Sequence, residues 1–409
     1  MKCRHCGHPL TQPFLDLGSA PPSNAYLSAD ALQGPETWYP LRLLVCDHCW
    51  LVQTEDHAGR ESLFTGDYAY FSSVSRSWLA HAQAYVAEMA DRFALGADSH
   101  VVEVAANDGY LLQYVAQRGI PCTGIEPTAS TARAARAKGL TVREAFFGVA
   151  LARQMVGEGL QADLMTANNV LAHVPDINDF VAGFSVLLKP QGVVTFEFPH
   201  LLRMVEEGQF DTAYHEHYSY LSLTAVHRVL AANGLAVFDV AHLPTHGGSL
   251  RVLAQRAETG HWAVAPAVAA TLAQEQAAGL LTPGYYQGFQ ARAERIKHDV
   301  LAHLLHLKRA GKRVMGYGAA AKGNTLINFA GIRPDLLPCV VDLNPAKQGQ
   351  FLPGSRIPVV HEDVLRAQKP DAIWVLPWNL RTELQAQLAY VRDWGGELFT
   401  AVPRLETWT

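Results

Sequence analysis

Five consecutive residues, Tyr214, His215, Glu216, His217 and Tyr218, place two imidazoles, a carboxylate and two phenols in one short stretch of chain. An imidazole titrates near neutral pH and is the most common general base in enzymes. In an extended segment His215 and His217 would face one side and Glu216 the other, an argument that fails in a helix or turn. The stretch predicts a site that removes a proton from carbon.

Three uses of this histidine stretch are chemically possible. A base that removes a proton from carbon beside a ketone leaves an enolate, whose oxygen needs a hydrogen-bond donor. Two histidines and a glutamate could instead bind a catalytic metal ion, although a third ligand at suitable spacing is not evident in the sequence. The stretch could also be a solvent-exposed polar turn. We favour the base.

Strand-like and helix-like runs alternate from residue 101 onwards. This alternation predicts a parallel sheet with helices on both faces, and two last strands without a helix between them predict an antiparallel final strand. A helix is predicted at residues 223–232, so the histidine stretch lies between it and the fifth strand. The strands are predicted at residues 101–105, 123–125, 140–143, 162–166, 192–198, 236–240 and 249–254.

Polar residues follow the predicted strands at the edge where open parallel sheets bind ligands. Glu126 ends the second strand, 23 residues after Glu103, and one carboxylate there can accept from both hydroxyls of a ribose. The acidic first turn lacks a Gly-x-Gly-x-x-Gly motif, so it disfavours a pyrophosphate and favours the ammonium and sulfonium of S-adenosylmethionine. An acidic turn capped by Asp108 is the structural alternative. The candidate cofactor residues are Glu103, Asn107, Asp108, Glu126, Asn168 and Asn169.

Four of the six cysteines form two Cys-x-x-Cys pairs, Cys3 with Cys6 and Cys46 with Cys49, separated by 39 residues. Each pair aims two thiolates at one point, and two pairs complete a tetrahedron around zinc. Four thiolates leave no open position on the metal, so we expect a structural zinc ion that takes no part in chemistry. Two separate turns with free thiols are the alternative.

The last third of the chain predicts a second doubly wound unit. A strand at residues 313–315 leads into a turn with Gly316 and Gly318, followed by a helix that begins near Lys322. A helix N-terminus and a lysine can hold an anion, and Asp342, 24 residues after Gly318, matches the ribose-binding position of a dinucleotide fold. The unit could bind NAD or the pyrophosphate of a sugar nucleotide, or its glycines could only allow close packing.

Several motifs occur together and in a fixed order along nearly the whole chain. With them the chain resembles the nucleotide-sugar 3-C-methyltransferase family, S-adenosylmethionine-dependent enzymes that act on dTDP- or GDP-linked 4-keto-6-deoxysugars. The motifs are Cys3-x-x-Cys6 with Cys46-x-x-Cys49, Tyr68-x-Tyr70-Phe71-Ser72-Ser73, Glu103-x-x-x-Asn107-Asp108-Gly109, Tyr214-His215-Glu216-His217, His246-Gly247-Gly248-Ser249-Leu250-Arg251 and Gly316-x-Gly318-Ala319-Ala320-Ala321-Lys322-Gly323.

The resemblance implies roles for particular residues. His217 is the expected base, Glu216 orients it or binds the sugar, and Tyr214 and Tyr68 donate to the enolate oxygen or hold the substrate. His215 is expected to be structural. Ala105 stands in the cofactor loop where the family commonly has glycine. The expected substrate-binding residues, with the sugar between the middle and last domains, are Tyr70, Ser72, Gly318, Lys322, Asn324 and Asp342.

The resemblance also implies an activity, the methylation of C3 of the keto sugar through base-assisted enolate formation, which makes a branched deoxysugar. Two other functions compete with it. The last domain could make the chain an NAD-dependent nucleotide-sugar oxidoreductase. The cysteine pairs could instead belong to a zinc-ribbon methyltransferase associated with nucleic acid, but the charges around them are mixed and no basic, aromatic stripe is present.

Composition limits the remaining classes of protein. A chain of 409 residues predicts two or three domains. We expect an α/β protein with three of them. They are a zinc module at 1–75, a seven-stranded class I methyltransferase domain at 76–256 and a Rossmann-like domain at 257–409. The formal net charge of −5 gives no basic field for nucleic acid. No apolar run approaches the ~20 residues of a membrane span. We expect a cytoplasmic monomer with no nucleic-acid or membrane partner.

Overall fold

The computed structural model describes residues 1–57, 59 and 71–408. Tyr68 and Tyr70 therefore lie outside the described residues. The described strands form three sheets, one of four, one of seven and one of six strands. In chain order the strands are β1 (Gln12–Ala20), β2 (Tyr39–Val45), β3 (Val52–Thr54), β4 (Val101–Val104), β5 (Cys122–Ile125), β6 (Val142–Arg143), β7 (Ala162–Asn168), β8 (Leu188–Pro199), β9 (Ser219–Tyr220), β10 (Leu235–Leu243), β11 (Ser249–Arg256), β12 (Val314–Tyr317), β13 (Val340–Val341), β14 (Val359–Val360), β15 (Ala372–Val375), β16 (Glu397–Thr400) and β17 (Glu406–Trp408).

The described α-helices connect and cover these sheets. The first begins directly after Ser75, because the hydroxyl of Ser75 accepts a hydrogen bond from the amide of Trp78 at 3.3 Å and caps the helix. In chain order the helices are α1 (Arg76–Arg92), α2 (Leu112–Gln117), α3 (Ala129–Ala137), α4 (Val149–Gly157), α5 (Ile177–Leu187), α6 (Leu201–Glu207), α7 (Leu223–Ala232), α8 (Pro266–Ala277), α9 (Phe289–Arg309), α10 (Ala321–Ala330), α11 (Glu362–Gln368) and α12 (Arg381–Gln387).

The seven-stranded sheet has the order β10-β11-β8-β7-β4-β5-β6. Strands β4 to β8 pair in parallel, and β11 pairs antiparallel with both β8 and β10. All four residues of β4 are buried, as expected for a strand with helices on both faces of its sheet. The predicted class I methyltransferase fold with an antiparallel last strand is confirmed. Strand order reverses between β4 and β7, where such sheets bind ligands.

The six-stranded sheet has the order β14-β13-β12-β15-β16-β17. Its strands are parallel except β17, which pairs antiparallel with β16. The predicted Rossmann-like architecture of the last part is confirmed. Here the strand order reverses between β12 and β15, so the turn after Tyr317 and the segment from Pro377 to Asn379 border one crevice.

The four-stranded sheet joins distant parts of the chain. It has the order β1-β2-β3-β9, and β9 comes from the middle of the chain, where Tyr220 pairs with Val52 and Ser219 with Gln53. Side chains of this sheet such as Phe14 and Leu43 share one apolar core with α9, α10 and β15, including Phe289, Leu326 and Trp374. The histidine stretch is therefore followed directly by β9, the strand that pairs with the N-terminal module.

Candidate active site

The four paired cysteines converge at the start of the four-stranded sheet. Their sulfur atoms all lie within 4.8 Å of one another, and among the described residues they are the one such cluster of metal-ligating side chains. Four converging thiols fit a structural zinc ion and leave no position for a substrate. The side chain of Gln53 donates a hydrogen bond of 3.3 Å to the sulfur of Cys3, an outer contact of the kind that orients metal ligands.

The predicted cofactor loop follows β4 at the edge where the strand order reverses. Ala105, Asn107 and Gly109 have positive φ angles of 60°, 48° and 77°. A left-handed residue with a side chain costs roughly 1–2 kcal/mol, a cost that the glycine expected here from the resemblance would avoid and that Ala105 bears. Glu126 fixes the loop, because its Oε2 accepts from the amide of Asn107 at 2.9 Å.

The carboxylates around this loop differ in their surroundings. Glu103 is 1% exposed, and the side chain of Tyr110 and the amide of Leu112 lie near enough to its carboxylate to lower its pKa slightly, although neither makes a close hydrogen bond to it. Burial raises the pKa of Glu103 well above its ordinary value, so a cationic ligand at this position would relieve an energetic cost. Asp108 instead accepts from the hydroxyl of Ser73, and its backbone carbonyl accepts from Nζ of Lys138 at 2.6 Å. Glu103 is thus the carboxylate best placed to meet an ammonium group.

Two asparagines, Asn168 and Asn169, lie at the carboxyl end of β7. Asn168 is buried, and its amide nitrogen lacks a hydrogen-bond partner among the described residues. Asn169 has a positive φ angle of 53°, and its amide donates to the carbonyl of Glu197 at 2.7 Å. Unpartnered buried amides are expected where a ligand supplies the missing hydrogen bonds. Both asparagines therefore remain candidates for cofactor binding.

The histidine stretch forms a turn, in which the amide of His217 donates to the carbonyl of Tyr214 at 2.9 Å. The condition for His215 and His217 to share one side is therefore not met. Nε2 of His215 lies 3.2 Å from the carbonyl oxygen of Pro40, in the N-terminal module. Oε1 of Glu216 accepts from the amide side chain of Asn24 at 3.1 Å. Because the two histidines diverge, the described residues do not assemble a metal site from this stretch.

His217 is held in the orientation and tautomer of a base. Its Nδ1 lies 2.8 Å from the carbonyl oxygen of Thr212, and a carbonyl can only accept, so Nδ1 carries the proton and Nε2 keeps its lone pair. The ring of Tyr214 packs against His217 with centroids 3.9 Å apart and the ring planes tilted by 32°, and the ring of His173 lies edge-on at 4.6 Å. Burial lowers the pKa of His217 well below its ordinary value, so the imidazole is neutral at pH 7.

All three parts of the chain hold the segment that carries His217. The hydroxyl of Thr54 donates to the carbonyl of His217 at 3.1 Å, and the hydroxyl of Thr325, in α10, donates to the carbonyl of Ala213 at 2.9 Å. The site therefore lies where the N-terminal module, the methyltransferase sheet and the Rossmann-like unit meet. Hydrogen bonds between residues so far apart in the chain cannot be predicted from local sequence patterns.

The turn after β12 uses its polar groups within the protein. The carboxylate of Asp342 accepts from the amides of Ala319 and Asn344, both at 2.8 Å. It also lies 3.6 Å from Nζ of Lys347, so it is already engaged and a ribose would have to compete for it. A Cβ atom on Gly318 would lie 2.5 Å from Pro377, which supports the packing role of this glycine. These contacts disfavour a working NAD site.

Other substrate candidates lie near this turn or near the cofactor loop. Asn324, in α10, is 1% exposed, and its side-chain amide has no hydrogen-bond partner among the described residues. The side chain of Lys322 donates to Asn379 at 2.9 Å. The amide of Ser72 donates to the side chain of Asn107 at 2.9 Å, which places Ser72 beside the cofactor loop.

Sequence reasoning missed several residues of the site. His246 lies in a motif that predicts no role for it, yet it has a positive φ angle of 56°, and its ring lies edge-on to Trp78 at 5.1 Å. Burial lowers its pKa to about 4. The carboxylate of Glu197, at the end of β8, accepts from Arg251 at 2.6 Å and lies 2.8 Å from Nε2 of His81. The motif from His246 to Arg251 could have marked these residues as part of the site. Their arrangement in space could not be predicted from it.

Three family profiles match successive parts of the chain. They are "Putative zinc binding domain" at residues 3–64, "Methyltransferase domain" at 78–240 and "C-methyltransferase C-terminal domain" at 244–403.

Among the described residues, no helix is both long and apolar enough to cross a membrane.

The chain is similar to known methyltransferases in sequence and in structure. Magnesium protoporphyrin IX methyltransferase from Synechocystis PCC 6803, solved with bound S-adenosylmethionine, is 17% identical and covers 44% of this chain and 79% of its own, with a TM-score of 0.33. An S-adenosylmethionine-dependent methyltransferase from Mesorhizobium loti is 15% identical, and the match covers 44% of this chain and 100% of the other, with a TM-score of 0.35. The C-methyltransferase NovU of Streptomyces niveus is 32% identical over 402 residues, which are 98% of this chain and 95% of NovU. The chain therefore belongs to the family of S-adenosylmethionine-dependent C-methyltransferases that includes NovU.

Proposed function

We propose that this C-methyltransferase acts at C3 of a nucleotide-linked 4-keto-6-deoxysugar and forms a branched deoxysugar. The observation that carries the proposal is the hydrogen bond between Nδ1 of His217 and the carbonyl of Thr212, because it leaves a neutral Nε2 with a lone pair. A carbon beside a ketone is acidic enough for such a base, whereas an isolated sugar carbon is not. This base therefore suits a keto sugar.

In the proposed reaction, Nε2 of His217 takes the proton from C3, and the C–H electron pair forms a double bond between C3 and C4. Negative charge then develops on the C4 oxygen and requires a donor. Tyr214, whose ring packs against His217, and Tyr68 are the phenols that the resemblance assigns to this task. Glu216 is held by Asn24 and would bind a sugar hydroxyl.

The cofactor residues proposed are those of the loop after β4 and of the neighbouring strand ends. Bound S-adenosylmethionine would supply a methyl group as the electrophile. The buried carboxylate of Glu103 would attract its ammonium group, and Glu126 would accept from the ribose hydroxyls while it also holds the loop through Asn107. Asn168 and Asn169 would contact the adenine or the methionine moiety.

The nucleotide part is proposed to bind between the middle and last units, with dTDP or GDP as carrier. Asn324 supports this because its buried amide is unpartnered within the described residues. The proposed substrate residues are Tyr70, Ser72, Gly318, Lys322, Asn324 and Asp342. The proposal also includes unit boundaries after residues 75 and 256 and a monomeric enzyme.

The experiment is an incubation with methyl-labelled S-adenosylmethionine and dTDP- and GDP-linked 4-keto-6-deoxyglucose, with and without the C2 hydroxyl. NMR of the product should show a new methyl group on C3 and no hydrogen at that carbon. Methylation at an oxygen, or at no position of any substrate in the panel, would contradict the proposal.

A further inference from the structure

Lys322 lies on the face of α10 that contacts the segment carrying His217. Thr325 is three residues further along the same helix, and residues at this spacing share a face. The hydroxyl of Thr325 donates to the carbonyl of Ala213, the residue after the one whose carbonyl orients His217. The helix therefore presents Lys322 towards the base and away from the solvent side of its own sheet.

The crevice where the strand order of the last sheet reverses surrounds the ammonium of Lys322. Its Nζ lies 2.9 Å from Oδ1 of Asn379 and 4.6 Å from the ring centroid of Trp378. Trp378 in turn donates from Nε1 to Oδ2 of Asp211 at 2.8 Å, in the same segment as Thr212. Within the described residues, Nζ of Lys322 donates one hydrogen bond, to Asn379. The ammonium has three N–H groups, so two remain available to a ligand.

The charge of Lys322 affects the pKa values of the two histidines in the proposed site, His217 and His246. Burial lowers the pKa of Lys322, and the charge of the buried Asp211 carboxylate raises it, so Asp211 favours the ammonium form. Burial lowers the pKa of His246, and the charge of Lys322 lowers it further. The same charge adds to the effect of burial on the pKa of His217.

A phosphate is a poor partner for this lysine. The turn that would cradle a phosphate beside it uses its amides internally, because the amide of Gly318 donates to the carbonyl of Val341 at 2.7 Å and that of Ala319 to Asp342 at 2.8 Å. The nearby Lys347 is itself engaged, since its Nζ lies 3.6 Å from the Asp342 carboxylate and donates to the carbonyl of Ala319 at 2.8 Å. Lys322 is thus better matched to an oxygen beside the base than to the diphosphate.

We propose that Lys322 is a catalytic residue whose ammonium stabilises the C4 oxygen of the enolate that forms when His217 removes the C3 proton. This inference rests on the proposed function. The C–H pair forms the C3–C4 π bond, and the π pair of the C4 carbonyl moves onto oxygen, where the N–H groups of Lys322 meet it. When C3 takes the methyl group, the carbonyl re-forms and the pair of the broken methyl–sulfur bond stays on sulfur. The proton on His217 is released to solvent.

The test compares Lys322→Met with the wild type in the exchange of the C3 hydrogen for deuterium. It uses the keto sugar nucleotide that the wild type methylates, in D2O with S-adenosylhomocysteine. Removal of one preorganised charge at an oxyanion costs about 10²–10³-fold, so exchange and kcat should fall by that factor, while the calorimetric Kd of the sugar nucleotide stays within about 3-fold. Lys308→Met, at an exposed lysine that donates to the carbonyl of Asp335, is the matched control and should behave as the wild type.

Three results would overturn the inference. A Lys322→Met variant that exchanges normally but binds the nucleotide weakly would make Lys322 a phosphate ligand. A variant unchanged in both would give it no role in the reaction. A wild type that neither exchanges nor methylates any keto sugar nucleotide would remove the proposed function itself, which separates the two failures. If Lys322→Met does not fold, Lys322→Gln keeps the polarity without the charge and should show the same loss.

Discussion

The hydroxyl of Thr54, at the end of the third strand of the zinc-binding module, donates a hydrogen bond of 3.1 Å to the carbonyl oxygen of His217. Its amide donates to the next carbonyl, that of Tyr218, at 3.2 Å. The preceding residue, Gln53, donates to the sulfur of Cys3 at 3.3 Å. Two consecutive residues thus connect the thiol cluster to the proposed base, so the order of the metal site and the position of His217 should be coupled.

Removal of zinc should therefore affect activity although a closed set of four thiolates does no chemistry of its own. We expect about one zinc per chain by mass spectrometry of metals, as a closed set of four thiolates predicts. Cys46→Ser should lower both the zinc content and the melting temperature, and methyl transfer should fall by at least about tenfold because structural zinc contributes folding energy. Full activity in a zinc-free protein would contradict the coupling.

Thr54→Val tests the contact without disturbing the metal. The variant loses one hydrogen bond, worth about 1 kcal/mol, so kcat should fall by about fivefold while the zinc content remains that of the wild type. Thr54→Ser keeps the hydroxyl and should retain most of the activity. A rate for Thr54→Val equal to that of Thr54→Ser would show that the contact does not position His217.

Glu126→Ala tests the cofactor site. The carboxylate holds the amide of Asn107 and is the proposed ribose ligand, and hydrogen bonds to charged groups contribute roughly 1.5–3 kcal/mol. The Kd of S-adenosylmethionine, measured by calorimetry, should rise by about 10- to 100-fold. Glu144→Ala is the control, because Glu144 is exposed and pairs with Arg136 at 3.1 Å. Equal Kd values for both variants would exclude Glu126 from the cofactor site.

The pH dependence of kcat/KM should reflect the lowered pKa of His217. A base acts in its neutral form, which is present above its pKa and lost as the pH falls through it. Because burial lowers the pKa of His217 well below its ordinary value of about 6.5, activity should persist as the pH falls from 8 through 6 and decline only at more acidic pH. An acid limb centred near 6.5 in the wild type would contradict a buried base.

The fold could be predicted largely from local patterns. Buried parallel strands such as β4 are continuous, largely apolar runs, and the hairpin of β10 and β11 has no α-helix between its strands, so the sheet and its antiparallel end could be predicted from the sequence. The pairing of β9 with β3 could not be predicted, because Tyr220 and Val52 are brought together by the packing of distant segments.

The candidate site was predictable where residue type alone carries the chemistry. The cysteine pairs, Glu103 and His217 are of this kind. The orientation of His217 depends on a turn at His215 and on the carbonyl of Thr212, and neither leaves a mark in side-chain spacing. The glycine-rich neighbours of Lys322 predict an anion site, whereas its contacts with Asn379 and Trp378 depend on the order of the strands in the sheet.

The most direct test of the central claim, that His217 removes the C3 proton, is the loss of C3 exchange in His217→Asn. The wild type, incubated in D2O with its keto sugar nucleotide and S-adenosylhomocysteine, should incorporate deuterium at C3. His217→Asn should lose this exchange and methyl transfer by about 10²–10⁴-fold, the usual contribution of a general base, and should bind S-adenosylmethionine as the wild type does. Exchange at the wild-type rate in a folded His217→Asn variant would contradict the account.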